Sequence, residues 1–233
     1  MDIILPKLKT VDEIVASVKQ NIVKKTGFEV TDAVCPIVET ELKAGFQQAL
    51  YFDAEFGQMS MIIASQTKSL LFNLFTDLTE ELFRIRRVEK SGIDAVFESR
   101  HIPDKNREDK KYDASGKLKY YRDYIKRRID PIAFLSMLYD FEDLFMNDGF
   151  AGISIMSDAA MTEVRFSVHK TVLVFTKHQI LADRMAELLR KMGVPQVKET
   201  DTVEEKPHVH IGNSRLNKRF RELITICGAK RIA

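Results

Sequence analysis

The chain has 233 residues and a mass of 26.8 kDa, with 36 basic and 34 acidic side chains and a formal net charge of +2. At roughly 100–200 residues per domain, this length accommodates one large domain or two small ones. An apolar share of 45% and a charged share of 30% exclude a wholly disordered chain or a fibre, and the longest apolar runs, around Met61–Ala64 and Leu70–Phe75, fall far short of the ~20 residues of a membrane helix.

The opening MDIILPKLKT has an acid at position 2 and a short apolar run ended by Pro6, so it does not read as a secretory signal. The first predicted helix starts at a capping box, Thr10 with Glu13, and continues through Val11, Ile14, Val15, Val18, Ile22 and Val23 to a stop at Gly27. Cys35 follows in V-C-P-I, and its only counterpart is Cys227. Two cysteines allow at most one disulfide and form no C-x-x-C pair, which favours a cytoplasmic location. Cys227 reads as a small core residue and not as a nucleophile. Residues 49–56 and 59–64 read as a hairpin turning at Gly57-Gln58, while LKAGFQQAL (42–50) would also suit a helix. A helix is expected over 67–88 on the stripe Leu70, Leu71, Leu74, Leu78, Leu82 and Ile85, within which Asp77 and Glu80 offer a second capping signal that would allow a break near Thr76.

The composition changes over 101–129. Between Lys105 and Arg128 ten basic side chains face four acidic ones, an excess of six, so the remainder of the chain carries −4. Four of the six tyrosines lie here as well. Asp130 as N-cap and Pro131 at the first helical position then open a helix running to about Met146. Three strands are expected at 152–156, 163–169 and 171–176. The middle one alternates apolar Val164, Phe166 and Val168 with Glu163, Arg165, Ser167 and His169. Thr176 and Gln179 suggest a capping box for a helix that ends at Gly193, 198–206 reads as an exposed charged loop, 208–211 as a strand, and Ser214 as the cap of a last helix.

This order predicts an α+β protein: a mostly helical N-terminal region (1–100), a basic connector or hairpin (101–129), and a C-terminal α-β-β-β-α-β-α domain (130–233) with a partly antiparallel sheet. The stretches YDFEDLFMNDGFAGISIM (139–156) and EVRFSVHKTVLVF (163–175) resemble a pattern found in uncharacterised bacterial hypothetical proteins, a likeness spanning about residues 100–233. That resemblance implies no activity, cofactor or partner.

Four features bear on function. Gly149-x-x-Gly152 lies between a helix and a strand, the reverse of the strand-loop-helix order that brings a helix N-terminus to a phosphate, so it does not read as a nucleotide cradle. His208 and His210 flank Val209 on a predicted strand and so share a face; with His169 and a carboxylate such as Asp148 or Glu163 they are candidate ligands for a divalent metal. Glu142 falls between Leu135 and Leu138 on the wheel of one continuous helix over 132–147. A carboxylate on an apolar face needs a partner or a raised pKa, which makes it a candidate for acid–base catalysis. Finally, Lys110, Lys111, Lys117, Lys119, Tyr120, Arg122, Tyr124, Lys126 and Arg127 combine phosphate-neutralising cations with rings that can stack on bases, a pattern suited to a nucleic acid or an acidic protein.

The leading expectation is a non-catalytic binding or regulatory module that needs no cofactor, uses this basic segment and does not insert into membranes. The alternative is a metal-dependent or acid–base enzyme using the strand histidines and nearby carboxylates.

Overall fold

The computed structural model describes residues 10–84, 92–99 and 122–232. Within them the fold is α+β, built on an eight-stranded sheet whose paired strands all run antiparallel. Helix α1 (Val11–Thr26) begins at the expected capping box: the Thr10 hydroxyl accepts from the Glu13 amide and the Glu13 carboxylate accepts from the Thr10 amide. It buries Val15, Val18 and Ile22, whereas Val11 and Val23 are exposed. Strand β1 (Val34–Pro36) is short. Strands β2 (Gly45–Asp53) and β3 (Gly57–Ser65) form the hairpin expected at Gly57, each longer than its pattern suggested. Helix α2 (Lys68–Phe83) runs through Thr76 without a break; Leu71, Leu74, Leu78 and Leu82 are buried while Leu70 faces outward.

Strands β4 (Asp94–Ser99) and β5 (Arg122–Lys126) pair with each other. Helix α3 (Pro131–Asp140) starts at Asp130, whose side chain accepts from the Ala133 amide. Phe141, at φ −114° and ψ 16°, interrupts it, and a second short helix α4 (Glu142–Asn147) begins immediately. Strands β6 (Ala151–Ser157), β7 (Thr162–Phe166) and β8 (Val172–Thr176) form a meander. Helix α5 (Gln179–Lys191) starts after His178, not at a Thr176 capping box. The Thr176 hydroxyl is instead 2.8 Å from that of Thr162 across the sheet. A 3₁₀ turn (Val203–Glu205) precedes β9 (His208–His210). Helix α6 (Ser214–Cys227) is capped by Asn213, one residue before the expected Ser214, and β10 (Lys230–Arg231) is the last element.

The sheet order is β10-β5-β4-β6-β7-β8-β3-β2. Strands from 1–100, from 101–129 and from 130–233 therefore lie in one sheet, which runs across both expected domain boundaries. The core gathers on one face. Phe166, Val164, Ile153, Ile155, Phe97 and Val174 point to it, and buried residues of α2, α3, α4, α5 and α6 cover it. Val168, Leu181, Phe220 and Leu223 are buried, and Leu188 is half-buried. The opposite face carries half-exposed side chains, among them Arg165, Glu163, Leu173 and Phe175. No helix among the described residues is long and apolar enough to cross a membrane.

Candidate metal centre

Strand β9 pairs antiparallel with β1 in a separate two-stranded ribbon, with Val34 opposite His210, Cys35 opposite Val209 and Pro36 opposite His208. The ribbon is fastened at both ends: the Ile37 amide donates to Pro207 O (3.0 Å) and the Ile211 amide to Ala33 O (2.7 Å). Residues two apart on a strand share a face, so His208 and His210 project together while Val209 and Cys35 take the other side. Cys35 is consequently buried away from the imidazoles, its thiol donating to Thr31 O (3.2 Å), and burial pushes that thiol upward in pKa. Cys227 likewise sits against Met137, and burial pushes its thiol up to about 11, as befits a packing residue.

The third imidazole arrives from the main sheet. His169 lies in the turn joining β7 to β8, not within a strand as its alternation suggested, because the ladder stops at Phe166. The turn is closed by Lys170 N donating to Ser167 O (3.0 Å) and Ser167 N donating to Thr171 O (2.9 Å). The rings of His169, His208 and His210 stand 4.9–5.1 Å apart, and one nitrogen from each lies within 4.8 Å of the other two.

Hydrogen bonds define the tautomers of the strand pair. His208 Nδ1 is 2.6 Å from Lys206 O and His210 Nδ1 is 2.5 Å from Gly149 O. A carbonyl oxygen only accepts, so each Nδ1 carries a hydrogen and each neutral ring has its lone pair on Nε2. Those two Nε2 atoms face each other at 3.2 Å. Two lone pairs at that distance repel unless an electrophile, a proton or a metal ion, lies between them. In a tetrahedral zinc centre, bonds of about 2.0–2.1 Å hold neighbouring nitrogens roughly 3.4 Å apart. An imidazole that donates its other N–H to a backbone carbonyl is the arrangement that orients a metal ligand and raises its basicity.

The surroundings add anions. Glu204 Oε1 lies 3.4 Å from His169 Nδ1, and Asp148 is fully buried one residue before the Gly149 carbonyl that holds His210. Gly149 is required there: a Cβ would stand 2.2 Å from Ala33 O and 3.0 Å from Ile211 N. Lys170 is buried beside the turn with Nζ donating to Ala151 O (2.9 Å). Desolvation lowers its pKa to about 7 against the opposing pull of Asp148, so its charge is weakened near neutral pH.

Glu142 is exposed, in the first turn of α4. The break at Phe141 resets the helical phase, so Glu142 leaves the apolar face it takes on one continuous helix, and the setting that made it an acid–base candidate is absent. Arg165 pairs with Glu163 (2.7 Å) and Glu98 (3.9 Å). Of the basic segment, Lys110, Lys111, Lys117, Lys119 and Tyr120 lie outside the described residues, as does the Arg122 side chain. Lys126 is half-buried on β5, Tyr124 packs edge-on against Phe220 with centroids 6.0 Å apart, and Arg127 pairs with Asp94 at 3.2 Å. Glu204 and the carbonyls of Gly149 and Lys206 complete the histidine cluster and carried no ligand-like sequence pattern. Comparisons with protein-family models, with curated proteins and with solved structures find no significant match to this chain.

Proposed function

We propose that the protein binds one divalent transition-metal ion through His169, His208 and His210 and acts as a metal-dependent enzyme. The observation that carries this reading is the pair of Nε2 atoms facing each other at 3.2 Å, each on a ring anchored through Nδ1 to a carbonyl. A shared proton would also relieve the facing lone pairs, but it would give no role to the third imidazole beside them. Imidazole ligands suit zinc, copper, iron and nickel; three neutral rings with a tetrahedral preference favour zinc. Three protein ligands leave a fourth position for water, whose pKa a zinc ion lowers to about 7, the basis of hydrolytic and hydration chemistry. Glu204 would orient His169 through its Nδ1.

The test begins with protein stripped by a chelator and titrated with Zn²⁺ by calorimetry, with elemental analysis of the product. One equivalent is expected per chain. His208→Ala and His210→Ala should each lower affinity by at least 100-fold, and Glu204→Gln by roughly 10–100-fold. Zinc-dependent hydrolysis of 4-nitrophenyl acetate, lost in the same histidine variants, would support the catalytic half of the reading. Equal zinc binding by the wild type and the His208→Ala/His210→Ala double variant would overturn it.

A further inference from the structure

The sheet face opposite the core holds a second feature at the far end of β7 from the histidines. A cavity of about 550 Å³ opens there between the β2–β3 turn and the β6–β7 turn. That size lies within the range of small-molecule sites. Its wall is aromatic: Tyr51 and Phe175 meet edge to face with centroids 5.5 Å apart, and Phe56 stands at the rim, partly exposed. Its floor and lip carry Met59, Met156 and Met161. Unbranched, polarisable side chains of this kind adapt to bulky apolar bodies of differing shape. Met161 holds φ at +42°, in a turn fixed by Met161 N donating to Asp158 O (3.0 Å) and Lys177 N donating to Met161 O (3.1 Å).

The charge of this cavity is one-sided. Among the described residues, the acids lining it are Asp53, Glu55, Asp158 and Glu163, and the one lining cation is Arg165. Arg165 is already engaged by Glu163 at 2.7 Å and by Glu98 at 3.9 Å, and its guanidinium lies 5.9 Å from the centroid of Phe175. Its charge is therefore answered within the wall. Asp53, Glu55 and Asp158 remain as a net negative rim above aromatic and thioether surface. Lys177 is exposed next to the turn, but its side chain does not line the cavity.

We propose that this cavity is a binding site for an organic cation with an apolar or aromatic body, independent of the histidine centre. The ring faces and thioethers take the body, since π faces and sulfur attract cationic and aromatic groups. The acidic rim takes the charge and excludes anions of the same shape.

Tetraphenylphosphonium and tetraphenylborate provide the test, because they are nearly identical in size and opposite in charge. Calorimetric titration of the full chain should show tetraphenylphosphonium binding with one site and at least tenfold preference over tetraphenylborate, a preference that narrows as salt rises. Glu55→Gln combined with Asp158→Asn should lower the affinity for the cation at least tenfold and leave the thermal transition unchanged, because both side chains are exposed. Phe56→Ala should weaken both ions. Binding should be the same in chelator-treated and zinc-loaded protein, which separates this site from the metal centre. No binding at millimolar tetraphenylphosphonium, equal affinity for the two ions, or an affinity indifferent to the Glu55/Asp158 exchange would each overturn the proposal.

Discussion

Lys170 meets two unfavourable circumstances at once: a left-handed backbone (φ 62°) and a fully buried ammonium. Its Nζ has the Ala151 carbonyl at 2.9 Å, and the Phe166 ring centroid lies 5.3 Å away. Because burial lowers its pKa from 10.5 to about 7, the folded chain binds fewer protons than the unfolded chain between those values. The contribution of this group to the stability of the metal-free protein should therefore rise with pH from about 7 to 10.5 and gain nothing below 7. Lys170→Met should remove that slope, and its advantage over wild type, of the order of a few kcal/mol at pH 7, should shrink by pH 10. Urea unfolding of both proteins at pH 7 and 10 measures this; parallel curves would mean an ordinary lysine. Phe166, buried against Phe75 with centroids 5.4 Å apart, is a simpler case. Phe166→Ala should cost about 3–5 kcal/mol in the same assay. At this scale much was legible: alternation pointed Val164 and Phe166 inward, and the H-x-H spacing placed two imidazoles on one face. Glu204 was not, because in 198–206 it is one charge among several and only the tertiary approach of His169 distinguishes it.

Among the elements, the β1–β9 ribbon depends on a close passage of the link between α4 and β6. Gly149 N donates to Ile211 O (2.8 Å) while Gly149 O accepts from His210 Nδ1. Gly149→Ala would drive a Cβ into Ala33 O, which is backbone and cannot rotate away. The expected outcome is a folded main sheet, zinc affinity lower by at least tenfold, and faster amide exchange at Ile211; unchanged affinity would show that the His210 anchor is dispensable. Helix boundaries show where periodicity stops being informative. Thr10 and Glu13 close their capping box on each other's backbone amides, whereas the Thr176 hydroxyl meets that of Thr162 across the sheet. The wheel of 132–147 placed Glu142 among leucines only by assuming one uninterrupted helix, and Phe141 breaks it.

For the molecule as a whole, chain order and sheet order diverge. β4 inserts beside β6, and β3 pairs with β8, so the N-terminal hundred residues supply strands on both sides of the β6–β7–β8 meander. A fragment of residues 130–233 would expose both edges of that meander and lose α2 from its core face. It should show no cooperative thermal transition by circular dichroism, while the full chain shows one; a folded fragment would support the boundary near 130 that composition suggested.

What the sequence determined by itself is local: helix α1 and its cap, the hairpin at Gly57, the α+β class, the inward faces of β7 and α6, and a shared face for His208 and His210. Each follows from periodicity, capping chemistry or turn residues, interactions spanning only a few positions. The tertiary structure alone decided that His169 meets the strand pair, that Gly149 and Lys206 orient two of the rings, that Glu142 lies outside, and that three methionines and an acidic rim share a cavity. The partners in those contacts lie up to about a hundred residues apart and include backbone atoms, which no side-chain pattern encodes.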